Sequence, residues 1–215
     1  MFKPPLFWKN INIISLILYP LSILYLWVSN LKYLMQKPVH TNSTIICIGN
    51  VTLGGSGKTP LALAIGKLLL SNKHKIAYAC KNYKSSIKNP TRVSSNYNSS
   101  QIIDEAFLLN KVAPTFIAEN RKEAIKIASE NAEIVISDDG LQNNSFHKDL
   151  SILAIPKDTI LGNNFIFPAG PLRESLKNAL KRTDLVVMID EENNSHQKSR
   201  SVIEKYFHKN KTFKT

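Results

Sequence analysis

Between residues 43 and 190, short apolar runs alternate with stretches of helical periodicity. The runs at 43–48, 75–80, 133–137, 151–155 and 185–189 read as strands, with another at 114–118. Helical spacing predicts helices over 58–70, 104–111, 121–131 and 172–181. This alternation predicts an α/β fold, a parallel sheet covered by helices. Ligands of such sheets bind beyond the carboxyl ends of the strands. Residues 81–101 are rich in Asn, Ser and Lys and contain Pro90, which reads as a long loop. After Asp190 the chain turns polar, with one weak amphipathic stretch at 201–207.

Upstream of the alternation the pattern changes. Lys9 and Lys32 bracket 22 residues without a charge. As a helix this run spans ~33 Å, enough to cross a hydrocarbon core. Trp8, Tyr19, Tyr25, Trp27 and Tyr33 flank or punctuate it, as amphipathic rings do near headgroups. Asn12, Ser15, Pro20, Ser22, Ser29 and Asn30 interrupt it, so a spanning helix and one lying in the interface both fit. No small-residue cleavage site follows the apolar core, which argues against a signal peptide.

Charge adds a second asymmetry. The net charge is +12, yet no Asp or Glu precedes Asp104. Residues 1–103 hold twelve Lys and Arg, and the remainder holds sixteen basic and sixteen acidic residues. An acid-free basic half implies an anionic partner: membrane, phosphate or nucleic acid. Composition excludes other classes. With 43% hydrophobic and 20% charged residues the chain is not a disordered polymer. Two cysteines, Cys47 and Cys80, exclude a disulfide scaffold and suit buried strand positions.

The strand at 43–48 runs into Gly49-Asn50-Val51-Thr52-Leu53-Gly54-Gly55-Ser56-Gly57-Lys58-Thr59-Pro60, and a helical pattern follows. Glycines let backbone N–H groups converge on phosphate oxygens. Lys58 then neutralises the outer phosphates and Thr59 ligates Mg²⁺. Standard spacing places Gly where this chain has Thr52. No base-reading motif of guanine-nucleotide switches occurs. The strand at 133–137 ends in Asp138 and Asp139, where a phosphate-loop enzyme holds Mg²⁺. Adjacent acids point in different directions, so one faces the metal and the other the substrate. Asp104 and Glu105 open a helix, either as dipole-complementing charges or with a general base among them. In the loop 162–174, Pro171 is placed to start a helix. Arg173 is placed to bind a phosphate or to lie with Glu174 on a solvated face. The five histidines show no metal-ligand spacing.

Taken in order, four features resemble the tetraacyldisaccharide 4′-kinase family, the lipid A 4′-kinases of Gram-negative bacteria. They are the N-terminal apolar helix, the loop Gly49 to Pro60, Asp138-Asp139-Gly140-Leu141-Gln142, and Pro168-Ala169-Gly170-Pro171-Leu172-Arg173-Glu174. The resemblance covers about residues 1–190. It implies a P-loop NTPase-like kinase on the cytoplasmic face of the bacterial inner membrane. The enzyme would pass the γ-phosphoryl of ATP to the 4′-hydroxyl of a lipid A disaccharide 1-phosphate. It implies that Thr52, Leu53, Gly54, Gly55, Ser56, Gly57, Lys58 and Thr59 hold ATP. Thr59, Asp138 and Asp139 hold Mg²⁺; Lys58, Asp104, Asp138 and Asp139 are catalytic, with Asp104 the base; Asn50, Gln142 and Arg173 meet the substrate. Membrane phosphates and ATP then account for the basic half, and nucleic acid is not needed.

The family pattern also departs here. Ala106 follows Asp104-Glu105 where the family has Pro. Lys81 and Asn82 stand in a segment that the family writes Ser-Arg-Gly-Tyr-Gly. Asn143 stands for a His. The organisation expected is a membrane-associated helix over 1–38, a kinase domain over 39–190 and a polar tail over 191–215. That tail opens a C-terminal lobe from which the chain is expected to be truncated. Two functions are therefore expected, an active lipid kinase or a membrane-bound nucleotide-binding remnant. A third, a membrane-attached ATPase switch, wants an early loop Lys where this chain has Leu53.

Overall fold

The computed structural model describes residues 4–54, 57–83, 87, 89–94, 96–98, 100–156 and 161–189. Seven strands form one sheet: β1 (Thr44–Gly49), β2 (Ile76–Lys81), β3 (Thr91–Arg92), β4 (Thr115–Ala118), β5 (Ile134–Asp138), β6 (Leu150–Pro156) and β7 (Leu185–Ile189). Their order is β3-β4-β2-β5-β1-β6-β7. All pairings are parallel except β3 on β4. Each expected strand is present, shifted by at most a residue at either end. The exception to a purely parallel sheet lies in the segment read as loop. Thr91 and Arg92 pair antiparallel with Ile117 and Phe116, a contact too short to leave a period in the sequence.

Successive side chains of a strand go to opposite faces. Ile46 and Ile48 of β1 therefore join Ala62 of α2 (Lys58–Ser71) and Ala106 and Leu109 of α3 (Asp104–Asn110). Ile45 and Cys47 join Ala124, Ile125 and Ala128 of α4 (Arg121–Ser129) on the other face. Helix α2 presents small residues to the sheet. A Cβ on its Gly66 would lie 1.8 Å from the Tyr78 hydroxyl, so only glycine lets that ring lie beneath the helix. The hydroxyl donates to the Ala62 carbonyl at 3.2 Å, which satisfies it in a fully buried position.

One helix corrects the reading. The last helix, α5 (Leu176–Lys181), starts four residues later than expected, capped by Ser175, whose hydroxyl accepts from the Asn178 N–H. Leu172 instead bridges Thr52 and Ile166, and the Arg173 N–H donates to the Val51 carbonyl at 2.7 Å. These bonds hold residues 171–173 against the phosphate-loop segment, so Pro171 starts no helix.

The N-terminal run forms α1 (Ile13–Met35), with a short 3₁₀ turn, Leu6–Trp8, before it. Two of its polar interruptions cap it and a third attaches it to the domain. Asn12 caps it and forms a reciprocal capping box with Ser15. Ser22, 2% exposed, donates to the Ile166 carbonyl and accepts from the Ala169 N–H, at 2.7 and 3.1 Å. At the far end Asn144 donates to the carbonyls of Tyr33 and Gln36. The aromatic residues mostly face the domain, not headgroups. Trp8 is buried, with its indole N–H on the Pro168 carbonyl; Tyr19, Tyr25 and Tyr33 pack on Phe165, Phe167 and Arg182. The outward faces carry Leu16, Ile17, Ile23, Leu24, Trp27 and Leu34, all exposed. The helix is long and apolar enough to cross a membrane. The expected tail from Glu191 onward lies outside the described residues.

Candidate functional site

Strands β1 and β5 are neighbours, in a register that sets Ile48 beside Asp138. The loop after β1 and the acids ending β5 therefore meet at the carboxyl edge of the sheet. The approach is close: a Cβ on Gly49 would lie 2.3 Å from the Cβ of Leu141. Gly57 adopts a left-handed conformation, φ 68°, and opens α2 with Lys58 and Thr59 in its first turn. Gly55 and Ser56, both expected to cradle phosphates, lie outside the described residues.

Lys58 Nζ donates to Asp139 Oδ1 at 2.8 Å and to Asn50 Oδ1 at 3.0 Å. Thr59 Oγ1 donates to Asp138 Oδ2 at 3.2 Å. Arg173 Nη1 reaches both oxygens of Asp139, at 2.8 and 3.0 Å. Asp139 is also left-handed, φ 59°, which turns its carboxylate away from that of its neighbour. The two adjacent acids thus have different surroundings. Burial raises the pKa of Asp138, only partly offset by Lys58. Burial pushes Asp139 upward too, but Lys58 and Arg173 outweigh it and hold its carboxyl below the usual range. Asp138 Oδ1 is buried with no hydrogen-bond partner. An orphaned carboxylate oxygen beside a Thr hydroxyl is a hard oxygen donor set that suits Mg²⁺.

Of the residues expected at the site, the structure gathers Lys58, Thr59, Asp138, Asp139, Gln142 and Arg173. Asn50 is fully buried behind Lys58, its amide donating to the Thr52 carbonyl at 2.8 Å. Gln142 Nε2 donates to the Asn50 carbonyl at 2.7 Å and to Glu174 Oε1 at 3.0 Å. Glu174 is 8% exposed and paired with Arg182, whose guanidinium stacks on the Tyr33 ring of α1 at 4.7 Å. The alternative of a solvated Arg173–Glu174 face does not hold. Asp104 is exposed at the start of α3, with no contact to this cluster among the described residues.

Asp139 and Arg173 open onto a cleft of about 240 Å³. Its far wall is α1, through Ser29, Lys32, Tyr33 and Gln36, and Tyr83, Arg121, Gln142 and Asn143 complete it. Sequence reasoning missed Arg121 and Arg182, and gave Glu174 only a motif position or a solvated face. Only Arg121 carried a signal: it begins the helix after β4, so it sits at the carboxyl edge of a parallel strand.

The sequence model of the tetraacyldisaccharide-1-P 4′-kinase family matches residues 14–214. A tetraacyldisaccharide 4′-kinase of Rickettsia conorii is 34% identical over 194 residues, 90% of this chain and 59% of that protein. The one from Rickettsia bellii is 35% identical over 186 residues, covering 86% and 58%. The chain therefore spans less than two thirds of the length of these curated relatives. A solved structure of LpxK from Aquifex aeolicus in complex with ATP superposes with a TM-score of 0.71 at 28% identity, covering 82% of this chain and 59% of that one.

Proposed function

Because the chain belongs to the tetraacyldisaccharide-1-P 4′-kinase family, we propose that it transfers the γ-phosphoryl of ATP to the 4′-hydroxyl of a tetraacylated disaccharide 1-phosphate in lipid A biosynthesis. The observation that carries this reading is the meeting of Lys58, Thr59, Asp138 and Asp139 at the paired ends of β1 and β5, beside a cleft walled by an apolar helix. The ATP held by the Aquifex relative supports the same ligand here.

Residues Thr52 to Thr59 cradle the nucleotide phosphates with backbone N–H groups. Lys58 meets the outer phosphates, held in place meanwhile by Asn50 and Asp139. Thr59 and Asp138 hold Mg²⁺, which, when bound, offsets phosphate charge during transfer. Asp139 keeps Lys58 and Arg173 aimed at one point, an electrostatic arrangement that needs no reorganisation when charge develops. Gln142 and Arg173 line the acceptor side. The assignment of Asp104 as general base rests on the resemblance.

The attachments of α1 favour a helix lying in the interface. Its contacts with the domain run from Tyr19 to Gln36, so a vertical helix would drag the 163–172 loop, with its polar backbone, into hydrocarbon. Lying flat, α1 buries its outward Leu, Ile and Trp side chains while the domain stays in water. A kinase that draws on ATP would have that domain on the cytoplasmic face of the inner membrane. An acceptor whose acyl chains stay in the bilayer then meets the cleft at high effective concentration.

Calorimetric titration of the detergent-solubilised chain with ATP tests the nucleotide half of the proposal. Binding that Lys58→Ala removes, and whose Mg²⁺ dependence Asp138→Asn removes, is the expected result. A chain that binds no ATP with or without Mg²⁺ overturns it.

A further inference from the structure

Lys58 and Arg173 both end on Asp139. Arg121 does not share that arrangement. Its side chain is buried, with the residue 7% exposed, and Nε has no hydrogen-bond partner. Among the described residues none forms an ion pair with it. Asp138 and Asp139 feel its charge, yet Asp139 already serves two cations and Asp138 pairs with Thr59. A further buried cation, Lys148, lies near enough for Arg121 to push its pKa down, though burial does most of that. Around the site six cations (Lys32, Lys58, Arg121, Lys148, Arg173, Arg182) face three carboxylates (Asp138, Asp139, Glu174).

A largely buried guanidinium with no ion-pair partner is unfavourable unless an anion answers it. The excess of positive charge suits a phosphate monoester dianion, whose oxygens also match the planar donor fork of Arg. Arg121 lines the cleft with Lys32, Tyr83 and Arg173. At about 240 Å³ the cleft is smaller than the ~300 Å³ of typical small-molecule pockets, so it takes a phosphorylated head, not a whole lipid.

We infer that Arg121 is the anchoring cation of a phosphoryl-binding subsite between α1 and the end of β5, and that its partner is a phosphate brought by a ligand. The subsite deepens the kinase reading. Only the identity of the phosphate carrier, nucleotide or sugar phosphate, rests on that reading.

The test measures melting temperature and affinity for inorganic phosphate, glucosamine 1-phosphate and ATP. It uses the detergent-solubilised full chain as wild type, Arg121→Met and Arg121→Lys, with Lys126→Met as a surface control. Arg121→Met is expected to weaken inorganic phosphate about tenfold or more, since hydrogen bonds to charged groups are lost. Without ligand it melts at or above the wild-type temperature, because the unanswered charge is gone. Arg121→Lys keeps part of the affinity. Of the other two probes, the one that weakens in parallel names the carrier. The inference is overturned if Arg121→Met binds all three probes as wild type does, if wild type binds none, or if unliganded Arg121→Met melts below wild type. Phosphate binding that ignores Arg121, alongside ATP binding that needs Lys58, refutes the subsite and leaves the kinase reading standing. Phosphate binding through Arg121 in a chain that binds no ATP does the reverse.

Discussion

Replacing Asp139 by Asn keeps the shape of the side chain and removes its charge. Asp139 holds Lys58 and Arg173 through three contacts of 2.8–3.0 Å. The side chains in these pairs are 13–22% exposed, so screening is limited. Removing one partner of a buried pair costs ~3–5 kcal/mol, because the other charge is stranded. Partial exposure and the Asn50 contact that Lys58 retains place the value near the lower end, ~3 kcal/mol. For a chain of this size that lowers the melting temperature by ~6–12 °C. Asp138→Asn is the paired control. Burial disfavours the Asp138 charge, so its neutral isostere leaves stability at pH 7 unchanged or raises it. The pH dependence has opposite signs for the two acids. Asp139, with its pKa lowered, contributes stability above the ordinary carboxylate value of 3.8 and loses it as pH falls below that. Asp138, with its pKa raised, contributes stability below 3.8 and loses it as pH rises through the raised value. The advantage of Asp138→Asn at pH 7 therefore fades towards pH 4. Thermal melts monitored by circular dichroism at both pH values provide the assay. Equal melting temperatures for Asp139→Asn and wild type refute the reasoning. So does an Asp138→Asn that is less stable than Asp139→Asn.

Two further outcomes follow from the network around the site. Arg182→Ala leaves Glu174 buried without its cation, which costs ~2–3 kcal/mol in a chemical denaturation curve, while a Glu174→Gln/Arg182→Ala double variant recovers part of the loss. Ser22→Leu removes the bonds to Ile166 and Ala169 and overfills a packed contact; amide exchange in residues 163–172 then rises by tenfold or more, whereas Leu24→Ala on the outward face leaves it unchanged.

The strands were legible because parallel strands buried on both faces are written as continuous apolar runs, so 43–48 and 133–137 could be placed within one residue. The loop from Gly49 to Lys58 and the acids at 138–139 were legible because phosphate chemistry leaves a local signature of glycine, lysine and carboxylate. What binds them together was not local. Asp139 meets Lys58 across 81 positions and Arg173 across 34, and no periodicity encodes that register. Ser22 looked like a flaw in an apolar helix because its partners lie on a loop more than a hundred residues away. Trp8 and Tyr25 fit a membrane belt by composition, yet their rings pack on Phe167. Arg121 stands at the carboxyl edge of β4, but that signal is weak, since an arginine in the first turn of a helix usually faces water, and only burial without an ion-pair partner sets it apart.

Phosphoryl transfer itself is the most direct test of the central claim. The chain, in mixed micelles with Mg²⁺ and γ-labelled ATP, is given a tetraacylated disaccharide 1-phosphate, and the lipid product is separated and counted. Label on the lipid is expected, dependent on Mg²⁺, lost in Lys58→Ala and reduced by at least about a hundredfold in Asp139→Asn, which disperses the aligned cations. ATP that is bound but never passed to the lipid would contradict the claim and leave a nucleotide-binding domain without turnover.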